Sequence, residues 1–138
     1  MYVTPFYAAL LALVFFWLSV RTIKLRRQLK VAIGADGNPT LQRAMRAHGN
    51  FAEYVPLTLL LMFLFELQGA RFLIIHVLGI CLLLGRLSHA RGVSQEKEDY
   101  RYRVFGMLMT FAALVGSAVG VLLFYVLQLI PRLMNISH

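Results

Sequence analysis

Four long apolar stretches alternate with short polar ones along the chain, and their lengths predict four helices that cross a membrane. A bilayer core about 30 Å thick needs about 20 helical residues per crossing. The first stretch, Tyr2 to Val20, continues as a helix from about Pro5 into the basic segment "RTIKLRRQLK". Proline is tolerated near that start because its missing N–H has no intrahelical partner there. The connection "GADGNP", Gly34 to Pro39, stacks turn formers without apolar periodicity and is the clearest break in the chain. A second helix follows from near Thr40, a candidate N-cap after Pro39, to about Gln68. Its uncharged part, Tyr54 to Phe65, is too short to span alone, and extending it back to Ala47 takes in His48, Asn50 and Glu53. The third stretch, Phe72 to Gly85, must likewise lengthen through Arg86 towards His89. The fourth, from about Val104 to Ile130, is uncharged and long enough to tilt.

Composition agrees with this pattern. The chain is 59% hydrophobic with a mean hydropathy of +0.70, well above an ordinary soluble domain. Four crossings and their connections fill its 138 residues, so the expected architecture is a single all-α domain, residues 1–138, forming an integral membrane four-helix bundle. The first apolar run has no basic segment before it and no small-residue cleavage site after it, so it reads as a retained helix rather than a signal peptide. The single cysteine, Cys81, lies inside the third run and reads as a small buried hydrophobe.

A net charge of +8 suggests nucleic acid only until the charges are located. Twelve of the fourteen basic residues fall in alternate connections. Arg21, Lys24, Arg26, Arg27, Lys30, Arg43 and Arg46 lie between the first and second runs, and Arg86, Arg91, Lys97, Arg101 and Arg103 between the third and fourth. That is the asymmetry of the positive-inside rule, so both basic connections are expected in the cytoplasm and both termini across the membrane. A nucleic-acid partner is not indicated.

Small residues recur four apart in the last helix at Ala112, Gly116 and Gly120, a stripe suited to close helix packing. The chemistry concentrates elsewhere. At about 100° per residue, Arg46, Asn50 and Glu53 share one face of the second helix, with Arg43 and Tyr54 at its margins. A carboxylate in a membrane is costly unless paired, so Glu53 is expected against an arginine of its own or another helix. The arrangement reads either as a buried ion pair between helices or as a ligand site. His48 points away from that face, towards the headgroups or a neighbouring subunit. Arg86 and His89 share a face of the third helix and can complete a pocket with the second. Arg101 and Arg103 open the fourth beside "QEKED", which also reads as a solvated turn. Several arginines, a carboxylate, an amide and a tyrosine suit a small molecule carrying carboxylates and an amine. No metal-ligand spacing joins His48, His76, His89 and His138, and no nucleophile has an adjacent base, so any nucleophile would come with the ligand.

The signature "RAxxNxxEYxP", here Arg46, Ala47, Asn50, Glu53, Tyr54 and Pro56, resembles that of the membrane-associated proteins in eicosanoid and glutathione metabolism, MAPEG. "GRLSHARG" ending the third helix and "RVFG" opening the fourth extend the likeness over essentially the whole chain, which is most similar to short bacterial inner-membrane members. The resemblance implies a homotrimer holding glutathione, as cofactor or co-substrate, between subunits near the cytoplasmic face. It implies that Arg46, Asn50, Glu53 and Tyr54 hold the peptide, that Arg86 and His89 line the pocket, and that Arg26 and His48 reach in across the subunit interface. Arg103 matches the arginine placed near the thiol, which makes it the catalytic candidate. This chain has His89 and Val93 where several eukaryotic members have tyrosines, so no particular eicosanoid is implied.

The function expected is a glutathione-dependent membrane transferase or peroxidase acting on a hydrophobic electrophile, with detoxification as its setting. Two other classes compete. A small multidrug-type transporter would carry its key glutamate in the first helix, and here that helix is uncharged to Val20. A binding protein for glutathione or lipid, without turnover, would keep the same pocket.

Overall fold

A computed structural model describes residues 1–95 and 99–136 and folds them into four helices. These are α1 (Thr4–Leu29), α2 (Pro39–Leu67), α3 (Phe72–Ser94) and α4 (Tyr100–Ile136). Each is long and apolar enough to cross a membrane. Part of the "QEKED" segment, including Lys97, lies outside the described residues, as does His138.

Local chemistry shifts several boundaries from those expected. Helix α2 is capped by Asn38, whose side-chain oxygen accepts the Leu41 N–H at 3.0 Å. Thr40 therefore sits inside the helix, and Pro39, with φ already helical and no N–H to satisfy, takes the first position. Helix α4 begins at Tyr100, four residues before Val104, because Asp99 accepts the Arg101 N–H at 3.0 Å and caps an extra turn. The loop after α1 turns through left-handed Lys30 and Asp36 together with Gly34 and Gly37, both at φ +71°. Here glycine adopts a conformation that a side chain resists.

Helices α2 and α3 pack on each other and on both outer helices, whereas among the described residues α1 and α4 do not meet. Leu11, Leu18, Met62, Ile75, Leu82 and Ala113 fill the core. The outer faces carry Leu13, Phe16 and Trp17 on α1 and Val115, Leu122 and Leu123 on α4, all exposed.

The tightest seam lies between α3 and α4. Its α4 side is Gly106, Thr110, Ala113 and Ser117, all buried and spaced four and three residues apart. The expected stripe, with its spacing of four throughout, runs beside this seam and meets neighbouring helices at two of its three positions. Ala112 and Gly116 are exposed, although a Cβ on Gly116 would lie 3.0 Å from the Leu78 side chain of α3, and Gly120 is buried with the Phe65 ring of α2 lying where a side chain would start. A repeat averaging 3.5 residues keeps facing the same neighbour where a repeat of four rotates away. Thr110 and Ser117 satisfy their hydroxyls on the carbonyls of Gly106 and Ala113, both at 2.7 Å, so neither brings an open donor into the apolar interior.

Candidate functional site

At the basic end of the bundle, α2, α3 and α4 surround a cavity of about 900 Å³. Helix α2 supplies Gln42, Arg43, Met45, Arg46, Gly49, Asn50 and Glu53, a single stripe at helical spacing. His89 and Val93 come from the end of α3, Arg103 from the first turn of α4, and Ala35 from the connection before α2. Arg43, Arg46, Asn50 and Glu53 of the expected polar face thus line one cavity with His89, whereas Tyr54 and Arg86, expected beside them, do not line it.

Glycine lets them meet. A Cβ on Gly106 would lie 2.6 Å from the His89 nitrogen and 2.7 Å from the Gly85 carbonyl oxygen. One on Gly92 would lie 2.9 Å from the Arg103 nitrogen. The backbones carrying His89 and Arg103 are therefore held at a separation that larger residues would not permit. Arg43 donates to the Gln95 carbonyl at 3.0 Å, and Arg21 donates to the Ser94 hydroxyl, so the end of α3 is also tied to α2 and α1.

The expected pairing of Glu53 is not found. Glu53 and Arg46 are both exposed at the cavity, and among the described residues neither forms an ion pair or a hydrogen bond. The carboxylate faces an open cavity instead of hydrocarbon, which removes the desolvation cost that a buried pair would have to offset.

The buried charge is Arg86, 1% exposed. It lies under the cavity, donating through Nη1 to Asn50 Oδ1 at 2.8 Å and to the Asn50 carbonyl at 3.3 Å. Its guanidinium sits 6.0 Å from the centre of the Tyr54 ring and 3.8 Å from Met107 Sδ. Tyr54 in turn packs edge-on against Phe111.

Two residues assigned to the pocket by resemblance are elsewhere in this chain. Arg26 folds back on the carbonyls of Ala32 and Gly34, at 3.2 and 3.0 Å, beside Met45 Sδ. His48 stacks on Phe15, ring centres 4.6 Å apart, and its Nε2 lies 3.0 Å from the Ser19 hydroxyl. Both are on the α1 side of α2, away from Glu53.

Next to the polar cavity runs an apolar groove of about 400 Å³ on α4, lined by Tyr100, Val104, Met107, Leu108 and Phe111. Arg103 lines both spaces. An open polar cavity and a surface suited to apolar molecules therefore share Arg103.

The sequence pattern of the MAPEG family matches residues 4–123, which takes in α1, α2, α3 and most of α4. The chain belongs to the MAPEG family. It is also 41% identical, over 113 residues, to the inner membrane protein YecN of Escherichia coli K12, a match covering 82% of this chain and 85% of that protein. YecN of Escherichia coli O6:H1 matches to the same extent.

Several residues that shape this MAPEG protein carry little signal in the sequence. Gln42 and Gly49 line the cavity four residues before and three after Arg46, and Met45 three after Gln42 and four before Gly49, a spacing visible in the sequence but carried by chemically plain side chains. The roles of Gly92 and Gly106 needed the α3–α4 crossing itself. Glu66 stands at the end of an apolar run, and its carboxylate accepts the backbone N–H groups of Val3 and Thr4 at the opposite end of the bundle. It closes the start of α1, which has no side-chain cap of its own.

Proposed function

We propose that this MAPEG protein is a glutathione-dependent transferase or peroxidase of the inner membrane, working as a homotrimer with its basic end in the cytoplasm and both termini in the periplasm. The observation that carries the reading is Arg103, placed where the polar cavity meets the apolar groove. Arg43 and Arg46 suit the carboxylates of a tripeptide, and Glu53 suits its ammonium. The groove along Val104, Met107 and Phe111 suits an apolar electrophile arriving from the bilayer. A neighbouring copy would bring Arg26 and His48 to the cavity, since neither reaches the cavity of its own chain.

The chemistry follows from the thiol. A free thiol has a pKa near 8.5, so only a few per cent is thiolate at neutral pH, and the thiolate is the attacking species. A guanidinium stays protonated and favours the anion. In conjugation the sulfur attacks the electrophilic carbon, the C–S bond forms and the leaving group departs with its electron pair. In the peroxidase reaction two glutathiones become a disulfide while a lipid hydroperoxide becomes an alcohol and water. The test is turnover of glutathione with an aryl halide and with an organic hydroperoxide, using the purified chain in detergent. Halide release or disulfide formation above the uncatalysed rate is expected. Tight glutathione binding with neither reaction would reassign the protein to binding without turnover, and absence of binding would remove glutathione from the site.

A further inference from the structure

We propose that Arg86 is a positioning residue: buried behind the cavity, it fixes the Asn50 amide so that its NH₂ group faces the ligand and reads an acceptor oxygen, a carboxylate or peptide carbonyl. The inference rests on the reading above for the identity of the ligand, but its structural basis is independent of it.

A guanidinium has five N–H donors and no acceptor. Whatever amide orientation a structure assigns to an asparagine, one that faces a guanidinium at 2.8 Å must present its oxygen. Nη1 holds Asn50 twice, through Oδ1 and through the backbone carbonyl, so both the rotamer and the flip are set from the same atom. Asn50 nevertheless lines the cavity, and its Nδ2 makes no hydrogen bond among the described residues. Its two N–H groups are left for a ligand. Arg86 itself does not line the cavity. It is buried, its Nε has no hydrogen-bond partner, and it forms no ion pair among the described residues.

That combination is expensive unless it is used. An unpaired buried charge costs several kcal/mol, and apolar residues of similar volume commonly replace such charges with little loss or some gain in stability. A purely structural role would be served as well by methionine. A guanidinium does two things that methionine does not: it forces Asn50 to donate, and it places a positive charge behind the cavity floor. A ligand amine brought to Asn50 would meet two N–H groups and a cation, whereas one turn along α2 it would meet the Glu53 carboxylate. The cavity therefore distinguishes the two ends of a zwitterionic peptide.

The test uses the full chain in detergent and measures glutathione affinity by calorimetry beside thermal melting. Arg86→Met should keep or raise the melting temperature while weakening binding roughly ten- to a hundredfold, the worth of a hydrogen bond to a charged group. Asn50→Asp should also melt no lower, because aspartate pairs with Arg86, yet lose affinity to a similar degree because it no longer donates. Combining Asn50→Ala with Arg86→Met should bind no worse than the weaker single variant, and Arg86→Lys should restore most of the affinity. Additive losses, or unchanged affinity in Asn50→Asp, would overturn the proposal; if Arg86→Met does not fold, Asn50→Asp decides. Should the wild-type chain bind no glutathione, the functional reading falls and the proposal is decided by the Asn50 side-chain amide resonance of the ligand-free protein. That resonance must move in Arg86→Met and stay in Arg86→Lys, and an unmoved signal in Arg86→Met overturns the positioning role.

Discussion

Arg103 is the residue on which the proposed chemistry depends, and its substitution separates activation from binding. Lowering a thiol pKa by about two units takes about 2.7 kcal/mol of preferential stabilisation of the anion, within reach of one guanidinium in a partly desolvated site. Arg103→Ala should therefore reduce conjugation at neutral pH far more than glutathione affinity. Its rate should also keep rising with pH to values where the wild type has levelled off. The ultraviolet thiolate band of the bound tripeptide reports this directly. Should Arg101→Ala abolish that band while Arg103→Ala spares it, the activating arginine is two residues earlier. At this scale the sequence was informative about residue type and less so about environment. The stripe of Arg46, Asn50 and Glu53 could be read from helical spacing alone. That Glu53 is exposed and Arg86 buried could not, because burial depends on which helices close over each position.

Among the elements, the α3–α4 seam determines whether the site exists. Adding one methyl group at Gly106 places a carbon 2.6 Å from the His89 backbone, where no flexible side chain can yield. Gly106→Ala should then cost about 1–3 kcal/mol or more as the helices separate, lowering the melting temperature and loosening the ligand site together. Gly49→Ala is the contrasting case. Nothing lies within 4 Å of the added carbon, and alanine favours a helix over glycine by about 1 kcal/mol, so this variant should melt no lower than wild type. Thermal melting followed by circular dichroism checks both. Helix number and order were legible from apolar run lengths, since hydrocarbon thickness permits few alternatives. The seam was not, because glycine, threonine, alanine and serine at Gly106, Thr110, Ala113 and Ser117 look unremarkable until a partner helix is placed against them. Nor were the caps at Asn38 and Asp99, where a single side-chain oxygen moved each boundary.

For the whole molecule, the proposed orientation rests on the charge distribution and the proposed assembly on the positions of Arg26 and His48. With Cys81 replaced, a cysteine at Ile33, which is 91% exposed, should be labelled only from the cytoplasm. A cysteine at Arg71 should be labelled only from the periplasm, and labelling of both from one side would refute the topology. In detergent, native mass measurement should find three chains together, and a protein that stays monomeric while binding glutathione would show that Arg26 and His48 are not needed. The outer faces of α1 and α4 are apolar enough to meet either lipid or another copy, so mass is the deciding measurement.

The bond between Glu66 and the first residues of α1 also bears on how the chain enters the membrane. Val3 and Thr4 find their acceptor more than sixty positions further along, so the leading end of the first helix has no protein partner when it first reaches the bilayer. A ribosome adding about 5–20 residues per second needs roughly 3–12 s to bring Glu66 into existence. During that interval the start of α1 must stay in contact with water or headgroups. Docking with the far end of α2 then closes it. Insertion is thus expected to finish as a hairpin of α1 and α2, with the fast, local step of forming a helix separated in time from the later step that anchors it.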